Sequence, residues 1–278
     1  MKNMKLSIQH TLLPEDDLSE SFQRAADYGF DGIELTRWGF SSPMYDHQAK
    51  IEKAMQASGL PVSSICATWE GNIVHPDPAE RELRLAGLVR TLQFADSIGA
   101  RGVILVPIWP PEHLPDLSPV ADENMLITQL LVAMLKDVVE RTKGGQAAVF
   151  LEPLNRYETY YLNTVSKAAE LCKEVGDPHI KLMADLFHMN IEEADIPASI
   201  RTVEDYLGHC HLADSNRLLP GHGHTDFVSS FRALREIEFE GWLALECSVT
   251  GDPSKSLPAC VEFLRRCWER AAPDETDN

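Results

Sequence analysis

The sequence predicts an α/β protein folded as a single (β/α)8 TIM barrel. Three observations carry this prediction. Short β-branched or apolar runs alternate with longer segments of helical period, which implies parallel strands joined by helical crossovers. Eight such units can be counted, the number that closes a barrel, and 278 residues is close to the roughly 250 of one such barrel. An open doubly wound sheet usually has fewer strands, and no glycine-rich phosphate turn follows the first run.

The eight strand-like runs are 5–9, 32–36, 62–66, 102–106, 148–152, 181–185, 209–213 and 242–247. Helical period is read near 15–28, 47–58, 78–98, 122–142, 164–175, 191–205, 228–238 and 255–271. Local signals support these divisions. Pro14-Glu15-Asp16-Asp17 puts proline and acids at a helix start, where the dipole favours them. Asp77-Pro78 reads as an N-cap followed by proline in the first turn. Ser58-Gly59 and Ile98-Gly99 place glycine just past helix ends. The stretch 107–121 carries five prolines and excludes regular structure, so it forms a long loop after the fourth strand. The polar tail 273–278 reads as frayed beyond a single domain spanning 1–272.

Composition narrows the function. With 25 basic against 43 acidic residues the net charge is −18, a field that repels phosphate backbones and argues against nucleic-acid partners. No apolar run approaches the roughly 18 residues of a membrane span. The opening MKNMKLSIQH lacks the apolar region of a signal peptide, so the expected compartment is the cytoplasm. Six cysteines form no C-x-x-C pair and read as buried free thiols, with Cys66, Cys210 and Cys247 in apolar strand-like runs.

In a barrel of this kind chemistry sits where the strands end. Strand five ends in Glu152, strand six in Asp185 and strand eight in Glu246, while strand seven carries His211. Their separations of 33, 26 and 35 residues are each about one βα unit, so all four fall at similar depth. Converging carboxylates resist ionisation unless a cation joins them. Oxygen donors with one imidazole suit one divalent metal, Mn²⁺, Mg²⁺ or Co²⁺, with Zn²⁺ a weaker fit. Around them lie Glu158, His188 and Arg217, candidates for substrate oxygens. Glu34 ends strand two, Cys66 ends strand three, and Trp38, Trp69 and Trp109 follow strands two, three and four. All five are candidates for the pocket wall, the tryptophans because aromatic walls suit sugars and exclude water. His222 and His224, in a Gly-His-Gly-His turn, read as a solvated loop.

The strings EPLNRYET (152–159), ADLFHMNIEE (184–193) and HLADSNRLLPGHGHTDF (211–227) resemble the xylose isomerase-like superfamily of sugar isomerases and epimerases. Within it they are most similar to ketose 3-epimerases of the D-tagatose 3-epimerase type and to 5-keto-gluconate epimerases. The resemblance implies that Glu152, Asp185, His211 and Glu246 hold the metal, usually Mn²⁺. It implies that Glu152 and Glu246 form the acid–base pair, and that Glu158, His188 and Arg217 touch the substrate. It also implies a small-molecule keto-sugar substrate and a homo-oligomer, dimer or tetramer.

The expected reaction is then epimerisation through an enediolate, one glutamate removing the proton beside the carbonyl and the other returning one to the opposite face. Aldose–ketose isomerisation uses the same parts. A keto-sugar lyase, dehydratase or deglycosylating-complex subunit begins with the same proton abstraction. An abasic-site endonuclease of this barrel class needs more histidines and a basic surface, which this chain lacks, and a non-catalytic sugar-binding protein has no use for the acid–base pair.

Overall fold

The computed structural model describes residues 4–15 and 17–272. Eight parallel strands close on themselves in sequence order: β1 (Leu6–Gln9), β2 (Gly32–Thr36), β3 (Val62–Cys66), β4 (Gly102–Leu105), β5 (Ala148–Leu151), β6 (Ile180–Asp185), β7 (Leu207–Leu212) and β8 (Trp242–Leu245). β8 pairs back onto β1 through Ser7 opposite Ala244, which closes the ring. Outside them lie α1 (Leu18–Asp27), α2 (Gln48–Ser58), α3 (Pro78–Ile98), α4 (Glu123–Arg141), α5 (Val165–Val175), α6 (Leu186–Glu192), α7 (Ile196–Thr202), α8 (Phe227–Glu236) and α9 (Pro253–Arg270). The fold is thus the expected (β/α)8 barrel.

Capping groups set the helix ends. Asp17 accepts from the N–H groups of Ser19 and Glu20, so α1 starts after Pro14 and Glu15 rather than on them. Asp77 accepts from Ala79 at the start of α3, and Gly59 and Gly99 end α2 and α3 with φ of +74°. The segment read as one helix near 191–205 is two shorter ones. Asp185 caps α6 directly at the end of β6, and Asp195 caps α7 by accepting from Ala198. The proline-rich segment 107–121 holds neither helix nor strand, only an isolated bridge between Leu117 and Ala121. The frayed-tail expectation for 273–278 lies outside the described residues.

Strand side chains alternate between two cores. One face packs against the helices in a large apolar layer. The other fills the barrel, where Cys66, Ile104, Ala148, Phe150 and Met183 form a separate small cluster. Phe150 takes the space left by Gly208, where an added Cβ would lie 2.5 Å from its ring. Two residues further along the same strands, on the same face, come Glu152 above Phe150, Asp185 above Met183 and His211 above His209. Along β5 and β6 the barrel interior therefore changes from apolar to polar on approaching the C-terminal end, whereas β7 places a histidine at both levels. All six cysteines are buried and free.

Candidate active site

The four residues expected to converge do so. One donor atom each from Glu152, Asp185, His211 and Glu246 lies within 4.8 Å of the others. Asp185 divides its two oxygens between fold and site. Oδ1 caps α6 by accepting from Phe187 and His188, which leaves Oδ2 facing the cluster, 3.7 Å from Nδ1 of His211. That imidazole nitrogen is also 3.7 Å from Glu152 Oε1 and 2.9 Å from Glu246 Oε2. Although buried, Nδ1 has no aligned hydrogen-bond partner. A buried nitrogen aimed at three carboxylates, with none of them in hydrogen-bonding line, is what a cation-coordinating set requires. Donor chemistry and geometry therefore fit an oxygen-preferring divalent metal.

Electrostatics support the same point. Burial opposes charge on His211, yet Glu34 and Glu246 outweigh it and hold the imidazole pKa well above its ordinary value. Burial likewise works to raise the Asp185 carboxyl, but Arg217 and His188 hold it well below the usual range. At Glu246 burial is again overcome, here by His211 and Arg217, and its pKa falls to about 2. At Glu152 burial prevails, aided by repulsion from Glu246 and opposed by His211, and its pKa is raised. The two glutamates are thus driven apart, as an acid and a base need to be.

Arg217 joins this centre from the loop after β7. Its backbone has φ of +61°, fixed by its N–H on the Asp214 carbonyl and its own carbonyl on Ser248 N–H. Its Nη1 donates to Asp185 Oδ2 and its Nη2 to Glu246 Oε2, while the guanidinium lies over the Phe187 ring, 4.8 Å from its centroid. His188, in the first turn of α6, accepts at Nδ1 from Asn155 N–H at 3.2 Å and turns Nε2 toward Asp185 Oδ2 at 3.8 Å. The Asn155 side-chain Nδ2 donates to Glu158 Oε1 at 2.8 Å and also lies 2.8 Å from His188 Nδ1, so one residue, through its backbone and side-chain amides, positions two of the three expected substrate contacts.

Glu152, Glu158, His188, Arg217 and Glu246 all line one cleft of about 500 Å³. Of the expected wall residues, Cys66, Trp38 and Trp109 line it too. Trp69 and Glu34 are not among its lining. Trp69 is 38% exposed, and its carbonyl accepts from Arg37. Glu34 does not end β2 but stands at its middle, and it is fully buried beneath the cleft floor, between His209 and His211, because the strand's alternation turns its side chain into the barrel. His222 and His224 lie exposed in the loop held by Asp214, which accepts from Ser215, Gly221 and Thr225.

Several partners escaped the sequence reading. Gln9, Ser64 and His209 surround Glu34, and Asn155 carries His188. His209 carried a legible signal, since it stands two residues before His211 on one strand and must face the same way.

The family model for the xylose isomerase-like TIM barrel matches residues 22–267. The chain is 29% identical over 272 residues to 3-dehydro-D-guloside 4-epimerase of Escherichia coli (strain K12), covering 95% of this chain and all of that one. It is 34% identical over 258 residues to a probable ketose 3-epimerase of Synechocystis sp. (strain ATCC 27184 / PCC 6803 / Kazusa), covering 91% and 84%. Among solved structures, the apo 3-keto-D-glucoside 4-epimerase of E. coli superimposes with a TM-score of 0.83 at 28% identity, over 95% of this chain and 100% of that one.

Proposed function

This chain belongs to the xylose isomerase-like TIM barrel family, and on that premise we propose that it is an epimerase of keto-sugars. It inverts the carbon next to the carbonyl, with Glu152 and Glu246 moving the proton. The observation that carries this reading is the pair itself. The two carboxylates come from β5 and β8, share one cleft, flank His211, and have pKa values pushed in opposite directions.

Glu152, Asp185, His211 and Glu246 would hold one divalent cation, Mn²⁺ by preference with Mg²⁺ or Co²⁺ accepted. When bound, such a cation supplies Lewis-acid stabilisation of the charge that develops as the proton leaves. The chain's own groups do the rest. Glu246, the more acidic of the two, takes the proton from one face of the carbon. Glu152, whose protonated form burial favours, delivers a proton to the other. Arg217 and His188 direct N–H groups at the developing oxyanion. Glu158, held by Asn155, fixes hydroxyls further along the sugar.

The cleft favours a substrate longer than one ring. Its volume of about 500 Å³ lies within the range of sites for drug-sized ligands. Trp38, 66% exposed, and Trp109, 40% exposed, line it beyond the buried carboxylates. A keto-glycoside, with its oxidised ring at the glutamates and its second group against the tryptophans, fits this shape. The end-to-end match to 3-dehydro-D-guloside 4-epimerase supports the same class.

Incubation of the Mn²⁺-loaded protein in D₂O with keto-glycosides and free ketoses, read by NMR, tests this proposal. The expected result is deuterium beside the carbonyl and an inverted product of the same skeleton. Glu246→Gln abolishes it. Near-normal turnover by that variant, or an eliminated product of lower mass, overturns the scheme.

A further inference from the structure

Beneath the cleft lies a second polar layer that the reaction does not touch. Its centre is Glu34, fully buried in the middle of β2. Glu34 Oε1 accepts from Gln9 Nε2 at 3.0 Å and lies 2.9 Å from His211 Nε2. Glu34 Oε2 accepts from Ser64 Oγ at 2.7 Å and lies 2.8 Å from His209 Nε2. A carboxylate offers about four lone-pair sites, and four donors from three different strands, β1, β3 and β7, fill them. Gln9 and Ser64 can only serve Glu34 as donors, so the ionised carboxylate is left to accept from both histidines at Nε2.

This arrangement decides which nitrogen of His211 carries hydrogen. With Nε2–H held on Glu34, Nδ1 is the nitrogen that would give up its proton to a bound cation, and Nδ1 is the atom facing Glu152, Asp185 and Glu246. The same layer reaches the acid–base pair by a second route. The Gln9 amide nitrogen donates one hydrogen to Glu34 and the other to Glu246 Oε1 at 2.9 Å. Glu246 Oε1 is thereby tied to the barrel floor, and Oε2 is the oxygen that faces His211. Glu34, His209 and His211 also approach one another closely enough to suggest a second cation site. The filled lone pairs of Glu34 argue against it, because a cation there would displace at least two of four buried hydrogen bonds.

We propose that Glu34 is a positioning residue: through His211 directly and Glu246 by way of Gln9, it presets the cation-binding donors from below. Carboxylate–histidine–metal chains of this kind orient the ligand and raise its basicity, and removing the outer member typically costs 10–100-fold in affinity. The proposal rests on the reading of Glu152, Asp185, His211 and Glu246 as a cation site.

The test is calorimetric titration of the metal-free chain with Mn²⁺, alongside thermal melting. Wild type is expected to bind one Mn²⁺ per chain. Glu34→Gln, which keeps shape but offers one acceptor oxygen instead of a charged pair, should bind at least about tenfold more weakly. Ser64→Ala, which removes a donor from the His209 side only, should stay within about threefold of wild type. Because Glu34→Gln opens a buried network and can fail to fold, a second measurement uses wild type alone. With histidine ¹⁵N-labelled and Mg²⁺ bound, the ring shifts of His211 should report hydrogen on Nε2 and none on Nδ1. Affinity of Glu34→Gln within twofold of wild type, a His211 with bare Nε2, or two Mn²⁺ per chain would each overturn the role of Glu34. A wild type that binds no Mn²⁺ overturns instead the cation-site reading on which it rests.

Discussion

Arg217 places one nitrogen on Asp185 and the other on Glu246, so a single guanidinium spans two of the four carboxylate and imidazole groups expected to hold the cation. The span depends on a left-handed backbone at Arg217 and on a planar fork with two separate donors. A lysine has neither the reach nor the fork. The arginine is then at once a partner of two expected metal ligands and a cation lining the cleft.

These two roles predict opposite effects in Arg217→Gln. Removing a positive charge from beside the donors should tighten Mn²⁺ binding, since like charges no longer compete for Asp185 and Glu246. Removing a directed donor should lower kcat by about 10²–10³, the cost of one oxyanion-stabilising group. Calorimetry and steady-state kinetics on the same preparation check both. Arg217→Lys should keep the charge and still lose most of the rate.

Metal removal should show in stability as well as in turnover. The described barrel gathers three carboxylates at its mouth, and a bound cation relieves their repulsion. At a free Mn²⁺ concentration of 100 times the dissociation constant, binding to the folded state alone adds about 2.7 kcal/mol. The melting temperature should rise with Mn²⁺ and fall back on adding a chelator. The gain should shrink as pH falls, because protons compete for Nδ1 of His211 and for the carboxylates. Melting curves that ignore Mn²⁺ at neutral pH would contradict this.

The barrel and the four converging residues were legible because both follow from rules of spacing. Strand–helix alternation sets the fold, and residues one βα unit apart at strand ends must share a depth. What lay beyond the sequence were contacts between strands distant in the chain. Read from the sequence as a strand end like Glu152, Glu34 suggested a pocket wall, but it stands in the middle of β2, one level below the carboxylates of the cleft. Only the closure of β1, β2, β3 and β7 around one interior shows it enclosed by Gln9, Ser64, His209 and His211. The start of α6 was missed for a related reason. Asp185 serves as strand end and helix cap at once, and no linker separates the two elements.

Substrate length can be read from the tryptophans. Trp38 belongs to the loop after β2, with the Arg37 guanidinium 5.1 Å from its ring centroid, and Trp109 belongs to the loop after β4. Both line the cleft, and neither is hydrogen-bonded to Glu152, Asp185 or Glu246, so neither should alter the chemical step. Trp38→Ala and Trp109→Ala should raise KM for a keto-glycoside by about tenfold, roughly the 1.4 kcal/mol of a stacking contact, with kcat little changed. For a free ketose the same variants should behave like wild type. An equal effect on both substrates would remove the argument for a two-part ligand.

A further prediction concerns folding and not catalysis. His10 is buried next to β2, accepts from Thr36 N–H at Nδ1, and turns Nε2 against Gly39, where an added Cβ would lie 1.9 Å away. Burial lowers its pKa from 6.5 to about 4, partly offset by the backbone and side chain of Glu34. The sign follows from which state binds the proton. An unfolded histidine takes up a proton below about pH 6.5, whereas the folded one refuses it until about pH 4. This stabilising contribution is therefore complete above the unfolded value and is lost as pH falls across that window, reaching about 3 kcal/mol at its lower end by the usual conversion. His10→Asn keeps an acceptor near Thr36 and does not titrate. Its stability at pH 7 should be lower than wild type because of lost packing. Between pH 6.5 and 4, however, its denaturant midpoint should decline less steeply than that of wild type, and parallel declines would show that His10 does not set the slope.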